Sequence, residues 1–407
     1  MSVAPARSPI HRRVDELAQP PRPTVNFDPW LFVASIGLIG CSLIVLGSAT
    51  EEDVTGNPGY FVYRQAAYAV AGIVLMVLMA RFDYSRLREL KYGLYTGMIA
   101  LIVLVLLIGT TTRGSRRAIT LPPFMEPSLF SFQPSELGKL LLIVALAGFM
   151  VDRIRRLHQR DTTARVMLAA LGPALLVMLQ PDLGTGLVFV VIALAVLFVA
   201  GTSWRHFAAL GGLAVLAVLF TLVAAPAVGV SVLKPYQVDR LTAFLNPSDN
   251  PRSQGYQQNQ SRIAIGSGRK TGRGTDKATQ TRFSFLPEHH TDFVFAVVGE
   301  AFGFLGAAVV LSLYALLIWR TLRVLTLAKN LYGALIAGGI AAMLMFQVFV
   351  NIGMTVGIMP ITGIPLPLMS YGGSSVLVTF LAVGLLQSIH VQAHVASARK
   401  AHALVDA

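Results

Sequence analysis

Cysteine is all but missing from this chain: Cys41 stands alone in 407 residues, inside an apolar run. A disulfide framework and a cysteine-based metal site are therefore excluded. Charge is scarce as well, at 13% Asp, Glu, Lys and Arg, where soluble domains carry about 25%. With 54% hydrophobic residues and a mean hydropathy of +0.64, this is not the composition of a soluble domain. Acids are fewer than bases, 20 against 33, for a net charge of +13. In a soluble protein that excess would point to nucleic acid. In a membrane protein it is first a matter of topology, and no nucleic-acid partner is expected. Residues 1–29 lack the short apolar core and small-residue cleavage site of a signal peptide, and their polar, Pro-rich, basic composition predicts a disordered tail.

Apolar runs are what the chain has in abundance. A bilayer core roughly 30 Å thick needs about 20 apolar residues per helix. Ten candidate spans follow, from the first near 30–49 to the eighth near 293–319 and the tenth near 370–391. The expected fold is an all-α polytopic membrane protein, one domain over 30–391, with residues 392–407 as a cytoplasmic tail. A cytoplasmic N-terminus puts Arg81, Arg86, Arg88 and Lys91 inside, with Arg153, Arg155, Arg156, Arg160 and Arg165, and then Arg320, Arg323 and Lys329. That satisfies the positive-inside rule, and an even number of spans returns the C-terminus to the same side. The large connection over 231–292, between the seventh and eighth spans, is then extracytoplasmic with nine basic residues, and long loops translocate largely regardless of charge. A structureless loop of that length is improbable unless it is functional.

Within it, "GYQQNQSRIAIGSGRKTGRGT" interleaves glycines with Arg262, Arg269, Lys270, Arg273 and Lys277. Glycine lets backbone amides approach an anion, so a phosphate or pyrophosphate ligand fits. A surface loop meeting anionic headgroups fits too. The Walker A spacing is absent. Upstream, "GSRRAITLPPF" puts Arg116 and Arg117 outside, ahead of "FQPSELGK", in which Pro134 suits a first helical position and Glu136 and Lys139 share a helix face. A local role at the helix start would explain that pair, but charges entering a span usually face a protein cavity, which favours a polar cavity opening outward. In "QPDLGTG", Asp182 reads as an N-cap. "MPITGIPLPLMSYGGSS" suggests a re-entrant segment, since irregular backbone at membrane depth must be satisfied by protein or a wet cavity.

"FLPEHHTDFVFAVVGE" ends the large loop and opens the eighth span. Thr291 or Asp292 reads equally as a helix N-cap and, for Asp292, as a general base at the membrane surface. Glu300 lies well inside the span and needs a basic partner or a cavity wall.

These motifs, in this order and on ten spans, resemble the SEDS family (shape, elongation, division and sporulation), over about residues 30–391. The wording "FLPEHHTDFVFAVVGE" and "KPYQVDRLTAFLNP" is similar to the elongation branch. The resemblance implies a peptidoglycan glycosyltransferase that polymerises lipid II on the outer face of the bacterial cytoplasmic membrane. Asp292 matches the family's essential acid, Glu136 and Lys139 its site-organising pair, and Arg117 the arginine before them. Arg116, Gln133, Ser135, Arg262, His290, Thr291, Ser370, Tyr371, Ser374 and Ser375 are the accompanying substrate-binding candidates. The implied partners are the membrane, a class B penicillin-binding protein transpeptidase and the elongation machinery. A divalent cation would help neutralise pyrophosphate, but no compact cluster specifies one and His289-His290 alone does not. Three positions depart from the family pattern: Ala118 replaces an aromatic residue, Glu300-Ala301 a Glu-Glu pair, and Arg269 a glycine. The alternatives are a flippase for the lipid-linked precursor and a non-enzymatic scaffold; the absence of an evident internal repeat disfavours the flippase.

Overall fold

The computed structural model describes residues 27–50, 59–112, 115–120, 131–156, 159–227, 254–282 and 285–405, with isolated positions 229, 237, 238, 240, 242 and 244. Among the described residues ten long helices carry the chain through the bundle. They are α1 (Pro29–Ala49), α2 (Tyr60–Arg81), α3 (Lys91–Ile108), α4 (Pro134–Asp152), α5 (Arg160–Leu179), α6 (Leu183–Val199), α7 (Trp204–Ala227), α10 (Val294–Leu327), α11 (Leu331–Val356) and α12 (Gly373–Val405). The connection between α7 and α10 contains α8 (Gln254–Gly268) and the one-turn α9 (Thr279–Arg282). Among the described residues nine helices are long and apolar enough to span a membrane, and α6 is a tenth apolar helix of 17 residues. Each expected span meets a helix. Two ends shift: α12 continues to Val405, and Phe27 to Pro29 already belong to the folded body, with the rest of the expected N-terminal tail outside the described residues.

Local chemistry sets several helix starts. Asp28 caps α1 by accepting from Trp30 N at 3.0 Å and Leu31 N at 3.3 Å, with Pro29 at the first helical position. Asp182 caps α6 through Thr185 N at 3.1 Å, and Asn330 caps α11 through Gly333 N at 2.9 Å. Asp28 also does long-range work. Fully buried, it accepts from Arg320 Nε at 2.9 Å and exchanges two backbone hydrogen bonds, each 2.8 Å, with the Gln387 side chain. That ties the ends of α1, α10 and α12 together.

The interior is built on α4, α11 and α12, around which α1, α2, α6 and α10 pack. By contrast α7 stands at the edge. Its first turns reach the core through Phe207 and Leu210, while residues 211–220 are exposed throughout. β1 (Thr110–Thr112), β2 (Ser115–Thr120) and β3 (Ser131–Phe132) form a small antiparallel sheet leading into α4. Its Thr- and Ile-bearing strands suit a pleated backbone better than a helix.

Glycines fasten the α8 side of the large connection onto α10. At Gly303 the helix breaks, with φ 63° and ψ −156°, and a β-carbon there would lie 2.3 Å from Gly272 N. A β-carbon on Gly268 would sit 1.8 Å from Gly299 O. Across this junction Phe304 N donates to Arg269 O at 2.9 Å, Arg273 N to Glu300 O at 2.9 Å and Gly274 N to Ala301 O at 3.0 Å. The backbone groups freed by the break are thus satisfied by the loop.

Candidate functional site

The candidate residues gather where the loop before α10, the irregular segment before α12 and the start of α4 meet. Residues 357–372 are non-helical and run through the interior, with Leu366, Leu368 and Met369 fully buried. Its carbonyls are taken up by side chains: Asn351 Nδ2 donates to Ile364 O at 2.8 Å, Tyr314 to Pro367 O at 2.6 Å and Ser42 to Met369 O at 2.7 Å. Such pairing lets irregular backbone persist at this depth.

Against that segment lies the loop carrying Asp292. Ser370 Oγ donates to Thr291 O at 2.5 Å, and Tyr371 N donates to His290 O at 2.9 Å. Asn351 Nδ2 also donates to Asp292 O, at 3.0 Å. The half-buried Asp292 carboxylate faces Gly363, whose φ is +73°, and a side chain there would start 3.6 Å from Oδ2. Thr291 is buried and bonds Glu288 Oε2 at 2.9 Å. Neither Thr291 nor Asp292 occupies the N-cap of α10. That position is Phe293, so the local reading as a cap is corrected: the chain needs three more tight-turn bonds to Glu288 O, from residues 291, 292 and 293, before the helix begins.

An aromatic cluster flanks the loop. Phe61 lies 4.8 Å from the His290 ring and 4.9 Å from Tyr371. Arg64 stacks 4.5 Å over Tyr60, and its Nη2 is buried with no hydrogen-bond partner among the described residues.

The second group sits at the α4 start. Gln133 N donates to Ser374 Oγ at 2.9 Å, Ser374 Oγ to Ser131 O at 3.0 Å, and Gln133 Nε2 reaches Ser135 Oγ at 3.1 Å and Asp182 Oδ2 at 3.3 Å. One turn along, Lys139 Nζ donates to Glu136 Oε1 at 2.7 Å. Both are nearly closed off, at 2% and 3% exposure. The expected open polar cavity is thus not what surrounds this pair: each neutralises the other inside the bundle. Ser375, also buried, accepts at its carbonyl from Thr379.

Other expectations fare differently. Arg262 projects from an exposed position on α8, its aliphatic part over Gly357. Arg116 and Arg117 lie on β2, with Arg116 opposite Thr111, and their side chains are outside the described ones. Among the described residues Glu300, fully buried, has no basic partner. Its carboxylate caps α9, accepting from Gln280 N at 2.8 Å, Thr281 N at 3.0 Å and Thr281 Oγ1 at 2.7 Å. Sequence reasoning missed Asn351, Phe61, Arg64 and the bridging Gln65, which donates to Ser42 Oγ and Ser370 O, both at 3.2 Å. A polar residue inside an apolar run was the signal available for each except Phe61.

Among the described residues ten apolar helices, with these polar residues collected at one end of the bundle, make an integral, multi-pass membrane protein. Comparison narrows that class. The chain belongs to the FtsW/RodA/SpoVE family of cell cycle proteins, the SEDS family, whose sequence model matches residues 28–395. It is 39% identical to the probable peptidoglycan glycosyltransferase FtsW of Thioalkalivibrio sulfidiphilus, with 90% of each chain covered. It is 36% identical to the peptidoglycan glycosyltransferase MrdB of Escherichia coli K12, covering 90% of this chain and 94% of the relative. Identities this close do not separate the branches. Among solved structures, a chain of a peptidoglycan synthase complex that coordinates polymerization and crosslinking superposes with a TM-score of 0.74 at 34% identity, covering 89% of this chain and 97% of that one. The rod shape determining protein RodA of Thermus thermophilus gives 0.64 at 31%, covering 89% and 96%.

Proposed function

We propose that the chain is a peptidoglycan glycosyltransferase of the bacterial cytoplasmic membrane, polymerising lipid II into β-1,4 glycan on the outer face, in the elongation branch. Relatives carrying that activity in their names support the reaction class. The observation that carries the assignment of chemistry is the placement of Asp292. Its backbone carbonyl accepts from Asn351 and the two residues before it are held by Ser370 and Tyr371, while its half-buried carboxylate faces a glycine.

In this reading Asp292 takes the proton from the acceptor sugar's 4-hydroxyl as that oxygen attacks the donor's anomeric carbon. The bond from that carbon to the pyrophosphate oxygen breaks, and the configuration inverts. Pyrophosphate is a good leaving group, so no second carboxylate is required to protonate it. Cations stabilise its departing charge, and Arg64, with an unpartnered Nη2 beside Tyr371, joins Arg262 and Arg117 as a candidate. Glu136 and Lys139, buried together, act as positioning residues that hold the α4 start and hence Gln133. The basic connections expected inside support a topology with both termini in the cytoplasm. A class B penicillin-binding protein transpeptidase is the expected partner, consistent with a solved neighbour taken from a polymerising and crosslinking complex.

The test is purified protein given lipid II. Native protein should build glycan, and Asp292→Asn should lose about 10²- to 10⁴-fold, the usual contribution of a general base. Undiminished polymerisation by that variant would remove Asp292 from the chemistry. Movement of labelled lipid across the bilayer without polymer would replace the enzyme by a transporter. Restoration of rod shape, and not of septation, in depleted cells checks the branch.

A further inference from the structure

A cavity lies at the other end of the molecule. It occupies about 910 Å³ in the cleft between the first turns of α5 and of the peripheral helix α7. Chain direction fixes its place: α5 ends and α6 begins at Asp182 beside Gln133, so the α5 start and the α7 start both lie opposite the candidate site. At its mouth are Arg160, Arg205 and His206, the last held by Thr163 through Nδ1 at 2.8 Å. Deeper along α7 the wall becomes apolar, with Leu210 and Leu213.

Four observations converge on one kind of occupant. First, neither Arg160 nor Arg205 has an ion-pair or hydrogen-bond partner among the described residues. The neighbouring Asp161 does not neutralise them, being engaged by Arg165 at 3.0 Å. Second, Trp204 packs with Phe198 at 5.9 Å and Phe207 at 5.7 Å at the mouth, the aromatic signature of the headgroup level. Third, residues 211–220 of α7 are exposed throughout, so this apolar stretch must be covered by something apolar. Fourth, polarity runs along the cleft from cationic to aliphatic. The complement is an amphiphile with an anionic head and hydrocarbon tails.

We propose that this cleft binds an anionic phospholipid, its phosphate between Arg160 and Arg205 and its acyl chains along Leu210, Leu213 and the exposed face of α7. The bound lipid closes the gap that α7 leaves at the edge of the bundle. The site is independent of the reaction performed at the opposite end, and it lies on the side that the basic connections assign to the cytoplasm, where anionic lipids are enriched.

Native mass spectrometry of the full chain, titrated with phosphatidylglycerol or phosphatidylcholine, tests it. Native protein should retain one phosphatidylglycerol in preference to phosphatidylcholine. Arg160→Gln/Arg205→Gln should weaken it about 30-fold, roughly fivefold per guanidinium near a charged surface. Arg155→Gln/Arg156→Gln, which removes two exposed charges from the same end but outside the cleft, should bind as native. Should the first double variant fail to fold, Leu213→Trp keeps both guanidinia and fills the apolar half, and it too should lose the lipid. Inorganic phosphate should not displace it. Equal retention of both lipids by native protein, native-like binding by Arg160→Gln/Arg205→Gln or Leu213→Trp, loss in Arg155→Gln/Arg156→Gln, or displacement by phosphate alone would each overturn the proposal.

Discussion

Replacing Glu300 by Gln should open one turn of the large connection and leave the rest closed. The carboxylate makes three charge-assisted hydrogen bonds, to Gln280 N, Thr281 N and Thr281 Oγ1, all from one side. Glutamine is the same size but presents an NH₂ where one oxygen stood, so at least one donor then faces a donor. Bonds to a charged group contribute about 1.5–3 kcal/mol each and neutral ones about 0.5–1.5. Losing one outright and weakening the others costs roughly 3 kcal/mol, or about a 100-fold larger open population of the turn. Amide hydrogen exchange reads this at single positions. Gln280 and Thr281 should exchange about 100-fold faster in Glu300→Gln. Arg273 and Gly274, which donate to the backbone carbonyls of Glu300 and Ala301, provide the internal control and should change little. Native exchange rates at Gln280 and Thr281 in the variant would refute the capping role. Acceleration spread evenly over 269–282 would show instead that the whole connection depends on this side chain.

Two further outcomes follow from buried groups. Lys139→Met strands the Glu136 carboxylate at 3% exposure and should destabilise by about 3–5 kcal/mol. Adding Glu136→Leu should recover most of that in thermal melting of purified protein while polymerisation stays low, because the loss of fold and the loss of site are then separated. Gly303→Ala meets Gly272 N at 2.3 Å in a left-handed conformation, a backbone clash that cannot relax, and should cost more than about 3 kcal/mol in melting and yield. Gly211→Ala, on the bare face of α7 with nothing within 4 Å, should gain up to about 1 kcal/mol.

Features governed by neighbours in the chain were legible. Asp182 caps α6 and Pro134 opens α4 because capping needs only a side chain and the next turn. Glu136 and Lys139 meet because three residues bring them to one helix face, although their burial was not readable from spacing. Asp292 does stand where a loop meets a helix, yet of the two roles its spacing allowed, the cap is not made. The chain turns once more through Glu288 O before helical geometry starts, and turn conformation leaves only a weak trace in sequence.

Amino-acid order alone thus determined that this is a polytopic helical membrane protein and where its apolar helices fall. Hydrocarbon thickness dictates helix length, and local hydrogen bonding dictates helix starts. Only the tertiary structure decided what the motifs touch. Two glycines that suited an anion cradle, Gly268 and Gly272, serve with Gly303 as the points where two backbones cross, and Glu300 caps a turn twenty residues earlier. Asp28 finds Arg320 and Gln387 at separations of 292 and 359 residues. The physical reason is common to all three: a polar group inside an apolar bundle must be satisfied, and packing chooses among its many partners only when the helices have met.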